Sequence, residues 1–152
     1  MIRQSLTDAV KEAMKARDQR ATSTLRMVQA KLKDKDIEAR GNGNPDGIDD
    51  SAVLSVLQGM IKQRRESIEL YKQGNRPDLV DQETAEIAVI ERFLPQQMDE
   101  AAVQAAVNEA IAAAGAKSIK DMGGVMAALK TKYVGQMDFA KASAVVKKTL
   151  SA

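Results

Sequence analysis

Chemistry in this chain has to be built from few reagents. There is no histidine and no cysteine, which removes the commonest general bases, the thiol nucleophile and the usual zinc ligands. A serine or threonine nucleophile would need lysine as its base, and no such pair stands out. Carboxylates remain, in two groups. Asp46, Asp49 and Asp50 lie in "GNGNPDGIDD" and could hold a hard cation, but the spacing is not that of a calcium loop and the closing glutamate is missing. A solvated turn is the expectation there. Glu83, Glu86 and Glu91 spread over more than one helical face, so a solvated surface with salt links to Lys62, Arg64 and Arg65 is expected rather than an acid/base pair. No metal, no cofactor and no self-sufficient catalytic centre is expected.

What is left is cationic charge and bare backbone. From residue 117 onward Lys117, Lys120, Lys130, Lys132, Lys141, Lys147 and Lys148 face only Asp121 and Asp138. Such a cluster suits a polyanion, although lysines at a helix C-terminus also answer its dipole. The same region contains "SIKDMGGVMAALK", residues 118–130, with Gly123 and Gly124 side by side. Each glycine costs about 1 kcal/mol relative to alanine inside a helix. A nucleotide loop is not expected, since Walker spacing and a preceding strand are both missing. Close helix packing is favoured, because the neighbouring helix is alanine-rich and small residues permit a short interaxial distance. The alternative is an anion at the helix N-terminus, helped by Lys117 and Lys120 but opposed by Asp121.

The elements that must position these residues are helical throughout. Ile2, Leu6, Val10, Ala13 and Met14 recur at helical spacing, and Leu25, Val28 and Leu32 mark a second helix over about Ala21–Arg40. After the glycine-rich loop, Asp50 or Ser51 is expected to cap a third helix carrying Val53, Leu57, Met60, Ile61, Ile68 and Tyr71. Gly74 is expected at its end with positive φ. Pro77 opens a fourth helix and Pro95 closes it. Asp99 should cap a fifth that stops at Gly115, and Ser118 with Asp121 forms a capping-box pattern for a sixth. Gly135 stops that helix and Asp138 caps the last. The fold class is therefore all-α, with a four-helix domain over 1–95 and a three-helix domain over 96–152. The charged N-terminus does not look like a signal peptide, and no apolar run approaches the roughly 20 residues that span a bilayer. A cytoplasmic protein without membrane contact is expected.

Five segments, in order, carry a family resemblance: "STLRMVQAKLKDKDIE", "MIKQRRESIELYKQGNRPDL", "EIAVIERFLPQQM", "IKDMGGVMAALK" and "GQMD". Together they resemble the GatB/YqeY proteins over nearly the whole length. The resemblance implies a helical N-terminal part and a small C-terminal bundle similar to the tail domain of the B subunit of the glutamine-dependent tRNA amidotransferase. In that enzyme the tail helps recognise the tRNA body, so tRNA or structured RNA is the implied partner, with an amidotransferase or another translation protein as a further one. The implied activity is that of a carbon–nitrogen ligase using glutamine as amido-nitrogen donor, by kinship, since the chain is too short for the ATP-using catalytic part. The family's motif positions fall on Asp121, Met122, Gly123, Val125, Met126, Gly135 and Asp138, each with a structural role as cap, core residue, close approach or helix stop. Val134 and Met137 make the last turn more apolar than the family leads one to expect, which leaves fewer donors for RNA there. The rival expectation is a helical protein-interaction module using Met14, Met27 and Met60, although the core is the favoured place for these methionines.

Overall fold

The computed structural model describes residues 1–151. Its helices are α1 (Ile2–Lys15), α2 (Gln19–Gly41), α3 (Asp50–Gln73), α4 (Pro77–Glu91), α5 (Glu100–Ala114), α6 (Met122–Lys132) and α7 (Phe139–Ser151), with one 3-10 turn over Ile119–Asp121. No strand occurs among the described residues, and the all-α expectation holds. No helix among them is long and apolar enough to cross a membrane. The chain divides into two compact units, Met1–Leu94 and Pro95–Ala152.

In the first unit the helical apolar spacing turns Leu6, Leu25, Val28, Leu32, Val53, Leu57, Ile61, Ile87 and Ile90 into one core. Burial of each large aliphatic side chain stabilises the fold by about 1.5–3 kcal/mol. Met60 belongs to this core, whereas Met14 and Met27 are 52% and 42% exposed, contrary to the core placement expected for them. Helix starts are set by aspartates whose carboxylates accept first-turn amides: Asp18 from Ala21 N (3.0 Å), and Asp49 from Ala52 N (2.8 Å). The α3 cap is thus Asp49, not Asp50 or Ser51. A cap needs an extended backbone, which Asp49 has at ψ 175°, while Asp50 is already helical.

Helix ends follow one pattern. At the ends of α1, α2, α3 and α5 one amide donates to the carbonyl three residues back and the next amide to the carbonyl five residues back, the Schellman arrangement. Its left-handed position is occupied by Arg17, Gly43, Asn75 and Gly115 respectively. Gly74, expected there, instead has φ −81° and is the cap itself, so Asn75 takes the positive φ of 54°. Asparagine tolerates this region better than most residues with a β-carbon.

One buried polar contact was not legible from composition. Asp36 is buried at the end of the α2 stripe, with Arg3 on its two oxygens at 2.9 and 2.7 Å and the Ile48 N–H on Oδ1 at 2.9 Å. Arg3 also donates to the Ile48 carbonyl at 3.0 Å. This clasp fastens α1 and α2 to the loop before α3. Gly47 closes it at φ +81°, and a β-carbon there would overlap the Asp36 carboxylate. The hydrogen bond from Arg3, then that from Ile48, holds the Asp36 carboxyl below its ordinary value of 3.8. A lowered carboxyl contributes stability that is complete above the ordinary value and disappears as pH falls through the lower, folded-state value. Acid titration by circular dichroism should show a loss of unit stability starting below about pH 4, and Asp36→Asn should flatten that part of the curve.

Arg64 on α3 meets Glu86 on α4 at 3.0 Å and Glu83 at 4.0 Å, and Arg65 meets Glu91 at 3.1 Å. The salt links expected for Arg64 and Arg65 form: that of Arg65 lies on the solvated surface as expected, whereas that of Arg64 is buried. Glu86 is buried because it lies one residue before Ile87 on the packed face of α4. Lys62 is exposed and has no carboxylate within 4 Å among the described residues. Asp49 caps α3 and Asp50 lies in its first turn, and no group of three acidic side chains among the described residues is placed to hold a metal.

Candidate nucleic-acid interface

The second unit is three helices in mutual contact around Val107, Val125, Met126, Leu129, Met137, Ala142 and Val146. Asp99 accepts from Ala102 N at 2.7 Å to start α5, and Gly115 ends it at φ 62°. Asp121 reaches back to the amides of Lys117 (2.9 Å) and Ser118 (3.2 Å), closing the expected capping box around the 3-10 turn. Asp138 accepts from Ala140 N at 2.9 Å and starts α7.

The reversal at 133–138 is a packed element. Gly135 takes φ 76°, its carbonyl accepts from Gln97 Nε2 at 2.6 Å, and the Met98 N–H donates to the Gln136 carbonyl at 2.9 Å. Met137 is 2% exposed. Met137 is therefore part of the core, which accounts for an apolar residue in this turn. α7 touches both α6 and the 3-10 turn, so the chain doubles back. Its C-terminal half lies beside the start of α6.

The adjacent glycines do not serve close packing. A β-carbon built on Gly123 or Gly124 would meet nothing within 4 Å. With Val125, Met126 and Leu129 turned inward, a 100° step per residue leaves Gly123, Gly124, Ala127, Ala128 and Thr131 outward. α5 enters the core through Ala106 and Val107 instead. The solvent face of α6 is thus nearly free of side chains. Neither glycine has a positive φ, so Gly124→Ala should raise stability by about 0.5–1 kcal/mol in urea denaturation.

All seven lysines of this unit are exposed. Lys132 alone is engaged: Nζ is 3.1 Å from Glu109 and 5.3 Å from the Tyr133 ring centroid. Its hydrogen bond to Glu109, then its contact with Tyr133, raises its pKa. The ammonium groups of Lys117, Lys120, Lys130, Lys141, Lys147 and Lys148 have no carboxylate within 4 Å among the described residues. Helix dipoles account for Lys130, Lys132 and Lys148, which lie in last turns. They do not account for Lys117 and Lys120, which precede α6, nor for Lys141, which sits in the first turn of α7 where a cation opposes the dipole. The doubling back places Lys117, Lys120, Lys147 and Lys148 at one end of α6. Lys130, Lys132 and Lys141 lie toward the other, about 16 Å along an eleven-residue helix. Of the unit's five acids, Asp99, Asp121 and Asp138 are bound to backbone amides and Glu109 to Lys132, which leaves Glu100.

Residues 3–150 match the YqeY-like protein family. The chain belongs to that family. This YqeY-like chain is also similar to proteins named altered inheritance of mitochondria protein 41, mitochondrial. It is 35% identical to that of Lachancea thermotolerans over 92 residues, 60% of this chain and 47% of the relative. With the Eremothecium gossypii protein identity is 32% over 98 residues, 60% and 51% of the two chains. With that of Vanderwaltozyma polyspora it is 30% over 97 residues, 59% and 50%. The chain spans about half the length of the curated relatives it matches.

In the YqeY-like chain the motif positions Val125 and Met126 are core, Met122 is partly buried, and Asp121 and Asp138 cap helices. Tyr133 rather than Gly135 ends α6, Gly135 taking its positive φ in the turn beyond, which closes from Gln136 N to the Tyr133 carbonyl at 3.0 Å, and Gly123 makes no close approach. The Asp36 clasp was missed although it left a signal. Leu25, Val28, Leu32 and Asp36 continue one helical stripe, and an acidic residue on an apolar stripe calls for a buried partner.

Proposed function

We propose that this YqeY-like protein binds tRNA, or RNA of similar folded shape, through the lysines of its C-terminal unit, and contributes no catalytic chemistry of its own. The observation that carries this reading is the set of six exposed lysines without a carboxylate partner, in a unit whose acids are mostly engaged with backbone amides. Folded RNA offers phosphates and 2′-hydroxyls rather than readable base edges. A side-chain-poor α6 face between two groups of cations lets such a backbone come close. Stacking on single strands is disfavoured, because Tyr133 and Phe139, the unit's aromatics, are both packed against its core. The similarity to the amidotransferase tail domain supports the same ligand. It also supports association with a carbon–nitrogen ligase or another translation protein, the ligase chemistry then belonging to the partner. The lack of cysteine suits a reducing compartment such as the cytoplasm.

The test is fluorescence anisotropy of labelled bulk tRNA against the full chain from about 50 to 200 mM salt, with a single strand of equal length as control. Saturable binding that prefers folded tRNA is expected, with log K falling against log[salt] at a slope of roughly −2 to −4 for three to five neutralised phosphates. Absence of binding at low salt would overturn the proposal. The exposure of Met14 and Met27 favours a second reading, docking of a protein partner on the N-terminal unit. Salt-insensitive capture of a translation protein after nuclease treatment would favour it, and loss of capture on Met14→Lys would locate it.

A further inference from the structure

Four helices end in the same reversal, and three of them place glycine or asparagine in its left-handed position. The fourth, α1, places Arg17 there at φ 56°. Its amide donates to the Met14 carbonyl at 3.1 Å, and that of Asp18 to Ala13 at 2.9 Å. This is a backbone region that penalises any side chain with a β-carbon, and arginine lacks the short polar group that eases it for asparagine. Nothing within the unit explains the choice. Arg17 is exposed and has no carboxylate within 4 Å among the described residues. The α1 dipole is already answered by Lys15 in the last turn.

The surroundings are cationic as well. Lys15 and Arg20 flank Arg17 in the chain, and both are exposed. Arg26 reaches back from α2 until Nη2 lies 3.7 Å from Met14 Sδ, over the end of α1. The acids nearby are Glu12, 3.4 Å from Lys15, and Asp18, whose carboxylate caps α2. Arg17, Arg20 and Arg26 are left without a carboxylate partner among the described residues. A guanidinium fork matches phosphate oxygens two at a time, so three of them at one helix corner complement an RNA backbone.

We propose that the α1–α2 corner is a second RNA-phosphate contact, in which Arg17 occupies a glycine-favouring position because its guanidinium meets the ligand. This rests on the RNA-binding reading above. The two demands on Arg17 oppose each other, and that opposition makes the test sharp. Arg17→Gly and Arg17→Lys are compared with the parent protein, full chain in each case, for thermal midpoint and for bulk-tRNA anisotropy across salt. Arg17→Gly should raise the midpoint by about 2–4 °C, weaken tRNA roughly 2–5-fold at low salt, and make the salt slope shallower by about one. Arg17→Lys, which keeps the charge and the strain, should keep both midpoint and slope. If Arg17→Gly leaves affinity and slope unchanged while the parent protein binds tRNA, the corner is ordinary solvated surface and only this proposal falls. If the parent protein binds no tRNA, the RNA reading falls and takes this one with it.

Discussion

Replacing Arg64 by alanine should lower the stability of the N-terminal unit by about 3–5 kcal/mol, read as a fall in the urea midpoint. The size follows from what is left behind. Arg64 and Glu86 have side-chain exposures of only 12% and 10%, and their atoms are 3.0 Å apart. Arg64 also donates to the Met60 carbonyl at 3.2 Å, while Glu86 has one other partner, Gln82 Nε2 at 3.4 Å. Truncation strands a buried carboxylate beside Glu83, whose own pKa is raised by burial and by Glu86 against the pull of Arg64. Removing both charges is a different matter. The double variant Arg64→Met/Glu86→Leu should fall within about 1 kcal/mol of the parent, because apolar side chains of similar volume replace a desolvated pair. A cost below about 1 kcal/mol for Arg64→Ala alone would contradict the burial assigned to this pair.

The largest functional effect is expected from reversing charge on the C-terminal unit. Lys130, Lys132, Lys147 and Lys148 changed together to glutamate swing the unit by eight charges, from seven lysines and five acids to three and nine. tRNA binding should fall below detection at about 50 mM salt, since both the phosphate contacts and the attraction that precedes them are removed. All four positions are exposed, so the far-ultraviolet dichroism should persist. Lys132 is the one with an internal partner, and losing its 3.1 Å contact with Glu109 should cost little at so exposed a site. The four glutamine replacements separate lost attraction from added repulsion: they should weaken binding in part and make the salt slope shallower.

The features legible in the sequence were those decided within one helical turn. Asp99, Asp138 and the Ser118–Asp121 box cap helices because a side-chain oxygen reaches amides two to four residues away, a local matter. Gly115 was equally local. The α3 terminus slipped by one residue, because Gly74 and Asn75 can each occupy the left-handed position and the choice depends on where the last helical hydrogen bond closes. Gly123 and Gly124 could not be read, because a glycine pair shows that a helix is weakened without showing which of its faces meets a neighbour. That face is set by how Val125, Met126 and Leu129 are turned inward among α5 and α7. Burial of Glu86 and Asp36 likewise depends on partners 22 and 33 residues away, Arg64 and Arg3. The lysines were legible as a cluster, but their freedom from carboxylates needed the structure.

The most direct test of the central claim is a paired anisotropy titration of labelled tRNA at about 50 mM salt, with the parent chain and the four-lysine reversal side by side. Saturable binding by the first and none by the second is the expected result. Equal binding by both would contradict the assignment of the RNA contact to these lysines.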